Sequence, residues 1–230
     1  MKGLITHERT QAVTASFVDA GHDFRSNDIQ DCAGPYPMRH LKMDVFHALH
    51  HINAAFSLDF LGMHPDCTYL TNAGIRWLSS RTERYGYVYS QEWSDFNGYH
   101  TWINPIRWEK MELSCLHFKS CYSWLKTVGR GYIENPKMHP YAARIIGIPS
   151  SQYFHPYYFG TPQMKETHIW IIGLPNLEAD NMLTPPKDKE ESRKWQDVWM
   201  CPPGPERANK RSATDPNVAR AMVDQWGKLL

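Results

Sequence analysis

The chain has 230 residues, a formal net charge of +1 and 42% hydrophobic residues. That length suits one well-cored domain, and the charge lacks the basic excess that phosphate binders usually carry. No apolar stretch is long enough to span a bilayer and MKGLITHERTQ lacks the apolar centre of a signal peptide, so a soluble, cytoplasmic protein is expected; five cysteines, close together only at Cys115 and Cys121, fit reduced thiols.

Residues 3–6 read as a first strand. Thr10 to Ala20 reads as a helix that offers Ala12, Ala15, Phe17 and Val18 to a sheet and stops at Gly21. A second strand through Asp23-Phe24-Arg25-Ser26 ends at Asn27-Asp28, and a third lies near His40-Leu41-Lys42, before Met43-Asp44. Phe56 to Met63 reads as a strand mostly buried on both faces, running into a His-Pro turn. The segment 81–103, rich in Tyr, Trp, Ser, Asn and Gly, has no sustained period and reads as a candidate lid over the loop before it. A long helix is placed within 105–127, where Met111, Cys115, Phe118, Tyr122 and Leu125 form one apolar stripe. A strand at 130–134, a helix over 138–146 and strands near 151–155 and 167–173 complete the alternation. The pattern predicts an α/β fold, a Rossmann-like, doubly wound and mostly parallel sheet in a single domain over 1–230, with a short variable insert at 176–196.

Three motifs carry chemistry. HPDCTYLTNAG, residues 64–74, presents Cys67 at the carboxyl end of an apolar strand, where open α/β sheets place their ligands. Gly131-Tyr132-Ile133-Glu134-Asn135-Pro136 is a short strand whose tip carries a carboxylate and an amide. Phe159 to His168 is polar and leads into the apolar Ile169-Trp170-Ile171-Ile172. A carboxylate at Asp66 raises the pKa of a neighbouring thiol, so Asp66 either has a proton-transfer duty or faces solvent. His47, His50 and His51 lack converging partners in sequence, and no metal is expected there. His64, His139 and His168 each flank a motif. The basic residues between Lys187 and Arg211, interleaved with Trp195 and Trp199, read equally as a solvated loop or a DNA-binding stripe.

In this order the three motifs resemble those of the cytosine-C5 DNA methyltransferases, and most closely the short phage and bacterial branch that lacks a target-recognition domain. Thr68, Tyr69, Leu70, Asn72, Gly74, Arg76, Trp77 and Leu78 fit the branch's nucleophile loop, and residues 200–227 fit its closing segment. The resemblance implies an S-adenosylmethionine-dependent transferase acting on DNA, with Cys67 as the nucleophile at cytosine C6 and Glu134 as the partner of ring nitrogen N3. It further implies that Asn135 and Pro136 hold the loop, and that Gln163, Lys165 and Thr167, with Asn72 and Arg76, contact the base or its phosphate. The donor would lie against Thr6, Glu8, Gln11, Asp28, Asp44, His64 and Pro65. Of these, Glu8 would hold the amino-acid portion, Asp28 the ribose and Asp44 the adenine. The chain departs from the branch twice: the turn Thr6 to Gln11 has no glycine, and Asp66 replaces a proline. Two alternatives stay open. The same scaffold would serve another one-carbon donor or a free pyrimidine nucleotide, and it would serve a catalytically silent nucleic-acid-binding or anti-restriction module.

Overall fold

The computed structural model describes residues 1–55, 57–72, 77–196, 201 and 211–229, with the backbone alone over 53–55. Seven strands form one sheet, in the order β3-β2-β1-β4-β8-β10-β9. Their ranges are β1 Lys2–Thr6, β2 Asp23–Asp28, β3 His40–Lys42, β4 Phe60–Met63, β8 Gly131–Pro136, β9 Gln152–Phe154 and β10 Thr167–Ile172. The pairs β1·β2, β2·β3, β1·β4 and β4·β8 are parallel, while β10 runs antiparallel to both β8 and β9. The doubly wound, mostly parallel sheet expected from the sequence is therefore present. Chain order leaves β1 in opposite directions towards β2 and β4, so a topological switch point opens a crevice at the carboxyl ends of those strands.

Alternate residues of the central strands feed two separate apolar layers. Leu4, Leu61, Met63, Ile133 and Trp170 pack with the helices α2 (Val45–Ala55), α4 (Pro105–Val128) and α5 (Pro140–Ile146). Ile5, Phe60, Tyr132 and Ile169 face the other way, onto α1 (Ala12–Asp19) and α6 (Pro216–Trp226), where Phe17 stacks on Phe24 at 4.1 Å. Among the described residues no helix is long and apolar enough to cross a membrane.

Helix α4 starts at Asn104, whose side chain accepts from Arg107 N, with Pro105 in the first turn, and it stops at Gly129 in a left-handed conformation. Met111, Cys115, Phe118 and Leu125 are buried as the stripe requires. Tyr122, whose ring carries a hydroxyl, stays partly exposed, and Trp108 and Cys121 are buried in addition.

One expectation changes. The strand read over 56–63 is β4 alone. Ser57 to Asp59 stay outside it, with Asp59 exchanging hydrogen bonds with the Lys2 backbone, and Phe56 lies outside the described residues. The 81–103 segment, read as a candidate lid, carries regular structure. It contributes β6 (Val88–Tyr89), α3 (Gln91–Asn97) and β7 (Trp102–Ile103), which form a small antiparallel sheet with β5 (Ser79–Ser80) and one capped helix. Trp93 of α3 is buried against Trp108 and Tyr141, at ring separations of 5.0 and 4.9 Å. One anchoring ring on a two-turn helix is too little to show as a period.

The backbones of β4 and β8 approach closely at Gly131, whose φ is 139° and where an added Cβ would overlap the Leu61 carbonyl oxygen. Gly131→Ala should cost about 3 kcal/mol or more, from strain and overlap together. Gly98→Ala, at φ 72° with open space around it, should cost only about 1–2 kcal/mol. Denaturant midpoints of the two variants compare the effects, and equal losses would contradict the tight approach.

Candidate active site

Parallel pairing sets Leu61, Gly62 and Met63 beside Gly131, Tyr132 and Ile133, so the polar residues that follow each strand emerge at the same level of the crevice. His64 Nε2 lies 2.9 Å from the Tyr132 hydroxyl and 3.9 Å from Glu134 Oε2. The Asn135 amide Nδ2 donates to Pro65 O at 2.9 Å, while its buried Oδ1 has no hydrogen-bond partner among the described residues. These contacts clamp the start of the Cys67 loop to the tip of β8.

The far side of that loop is held by His139. Its backbone N donates to Leu70 O at 2.9 Å, its Nε2 meets Tyr69 O at 3.0 Å, and its Nδ1 accepts from Ala142 N at 3.1 Å as the cap of α5. These partners require the proton on Nε2. Within the loop, Cys67 O accepts from Leu70 N and Thr71 N, closing one turn. Asp66 is exposed and its Oδ1 accepts from Thr68 N at 3.1 Å and Thr68 Oγ1 at 2.7 Å. A carboxylate so placed shapes the turn from its solvent side.

Burial pushes the Cys67 thiol above its ordinary value, and Asp66 adds to this, while Lys165 and Arg211 act in the opposite direction. Lys165 donates to Ala213 O at 3.4 Å, and Thr214 Oγ1 lies 3.4 Å from Glu134 Oε2. Glu134, Lys165, Thr167, Thr214 and Asp215 line one small cavity, with Thr167 opposite Pro136 in the β8·β10 pair. Gln163 donates its backbone N to Thr161 O in the approach to β10. Asn72 is exposed one turn beyond Cys67, and Arg76 lies outside the described residues. Thr214 is a site residue that sequence reasoning missed, since 80 positions separate it from Glu134 and no local pattern marks it.

The donor side is built differently from the expectation. Glu8 is buried and turned into the start of α1, accepting from Val13 N at 2.6 Å, Thr14 N at 3.2 Å and Thr14 Oγ1 at 2.5 Å. It caps α1, and both its oxygens are engaged there rather than towards a ligand. Gln11 has φ 57°, a left-handed backbone that favours glycine, yet its amide is buried. Its Nε2 donates to Ser26 Oγ and Tyr36 O at 2.8 and 2.9 Å, and its Oε1 accepts from Tyr36 N at 2.7 Å. Thr6 is buried beneath the turn. Asp28 and Asp44 stand at successive strand ends, where one oxygen of Asp28 accepts from Gln30 N and one of Asp44 from Phe46 N and His47 N.

No protein-family model and no curated protein matches the chain. Among solved structures it is similar to a protein described as a DNA modification methyltransferase encoded within an E. coli prophage, with a TM-score of 0.45 and 9% identity over 80% of this chain and 52% of that one. It is also similar to a mutant of Spodoptera frugiperda DNMT2, with a TM-score of 0.39 and 13% identity over 81% of this chain and 55% of that one. The chain spans about half the length of both. The strand order, the antiparallel β10 and the two helical layers make the fold Rossmann-like, with a doubly wound, mostly parallel sheet.

Burial raises the Glu8 carboxyl to about 7, against the hydrogen bonds from Thr14 and Val13 that oppose the shift. A folded value above the unfolded one means that the stability linked to Glu8 is fully present below the ordinary carboxylate range and is lost as pH rises through about 7. Across pH 5 to 8 the wild type should lose on the order of 3 kcal/mol that Glu8→Gln does not lose. Guanidinium unfolding at several pH values measures this, and identical slopes would contradict it.

Proposed function

We propose that the protein is a methyltransferase acting at C5 of cytosine in DNA, with Cys67 as a covalent nucleophile. The observation that carries the reading is the clamp of the Cys67 loop to β8, which keeps the thiol's loop and the Glu134 carboxyl on one wall of the crevice.

C5 of cytosine is a weak nucleophile until a thiolate adds at C6. In the proposed reaction Cys67 Sγ forms that bond while Glu134, as the acid, donates a proton to N3, and the ring becomes an enamine whose electron pair lies at C5. S-adenosylmethionine, when bound against Asp28 and Asp44, supplies an electrophilic methyl carbon. The C5 proton is then lost to water, the electron pair of the C5–H bond restores the C5–C6 double bond, the C6–S bond breaks to release Cys67 as the thiolate, and the N3 proton returns to Glu134. His64, held below the ordinary imidazole range chiefly by burial, stands with its Nε2 3.9 Å from Glu134 Oε2. Lys165 and Arg211 offset the rise that burial imposes on the thiol. Asn135 and His139 position the loop through Pro65 O and Tyr69 O, and a base leaving a duplex stack would enter beside them.

An oligonucleotide carrying 5-fluorocytosine tests the step, because fluorine at C5 cannot leave as a proton and the adduct is trapped. Incubation with S-adenosylmethionine should yield a denaturant-stable protein–DNA conjugate in the wild type and in Cys115→Ala, and none in Cys67→Ser. A conjugate that survives in Cys67→Ser would contradict the assignment.

A further inference from the structure

A second cluster lies at the turn that follows β1, behind the start of the Cys67 loop, where His64 N donates to Thr6 O at 3.2 Å. His117 and Cys121 stand four residues apart on α4, a spacing that puts both side chains on one face of the helix. His7 joins them from the β1 turn, in a left-handed backbone with φ 57° that aims the ring at α4. His7 Nε2 and His117 Nε2 are 3.1 Å apart, and one ligand atom from each of His7, His117 and Cys121 lies within 4.8 Å of the others. We propose that these three residues bind a zinc ion, with the fourth position taken by water.

Tetrahedral zinc has bonds of about 2.0–2.1 Å to imidazole and 2.3 Å to thiolate, which separate neighbouring ligand atoms by about 3.3–3.6 Å. The two imidazole nitrogens already stand at nearly that separation, so the thiol has to close by only about 1 Å, within reach of a side-chain rotation. Thr6 Oγ1 lies 3.0 Å from His7 Nδ1 and fixes the ring so that Nε2 faces the cluster. Such an outer hydrogen bond is the usual support of a ligating histidine. Two imidazoles and a thiolate select zinc over magnesium or calcium, which prefer oxygen. The Asp44 carboxylate acts electrostatically on all three residues, so a thiolate and Asp44 together balance the charge of a divalent ion. On binding, the Cys121 S–H proton leaves to solvent and the sulfur lone pair forms the bond to the metal. The Phe46 ring, 5.4 Å from that of His117, screens one side. His47, His50 and His51, where the sequence predicts no metal site, stand exposed on α2. The ion would tie the donor-side turn to α4, whatever group the crevice transfers.

The test uses the full chain, stripped of metal and titrated with zinc and with cobalt(II). One equivalent of zinc should bind, and the cobalt form should show a sulfur-to-metal charge-transfer band. His7→Asn and Cys121→Ser should each weaken zinc binding at least tenfold, Cys121→Ser should abolish the band, and Cys115→Ala should change neither. Circular dichroism establishes that each variant is folded, and His7→Asn carries the test alone if Cys121→Ser does not fold. Absence of the band in the wild type, or zinc affinity unchanged in folded His7→Asn, would overturn the proposal.

Discussion

The parallel pairing of β4 with β8 is the constraint on which the crevice depends. It brings two loops that are some 70 residues apart in the chain to the same height, so that Asn135 Nδ2 can reach Pro65 O and His139 can reach Tyr69 O. Each contact satisfies a backbone carbonyl that the Cys67 loop would otherwise leave exposed or unpaired, and a typical net hydrogen bond of this kind is worth about 0.5–1.5 kcal/mol. Their larger effect is geometric, because together they remove the freedom of the loop at both ends. Gly131 makes the approach possible by leaving room beside the Leu61 carbonyl.

The same economy governs the donor side. A turn without glycine keeps the left-handed conformation at His7 and Gln11, and the side chains compensate for the backbone cost by bonding inwards. Gln11 stitches the turn to β2 and to Tyr36, and Glu8 terminates α1 from within the core. Polar residues placed at a strand end therefore divide into two sorts. Glu8 and Gln11 are consumed by the fold, whereas Asp28 and Asp44 remain at the edge of the crevice.

Much of this architecture was legible in the sequence because the central strands and α4 carry long apolar patterns with one dominant period. The strand ends bearing Cys67 and Glu134 were legible for the same reason, since a polar loop after a buried strand is a local signal. Three features were not. The fold of 81–103 is anchored by the buried Trp93 and Thr101, eight residues apart, which give no periodicity. The inward turn of Glu8 depends on α1 beginning four residues later with free N–H groups aimed at it. The meeting of His7 with His117 and Cys121 joins positions 110 residues apart and is set by the docking of α4 on the sheet. Local composition is blind to each of these, because tertiary packing decides them.

The account stands or falls on transfer of a carbon to cytosine. The most direct measurement is mass spectrometry of nucleosides from DNA incubated with the full chain and S-adenosylmethionine carrying a deuterated methyl group. The account predicts 5-methylcytosine that contains the three deuterons and has lost the hydrogen originally at C5. Unlabelled cytosine throughout, from folded protein that binds the DNA and the donor, would contradict it.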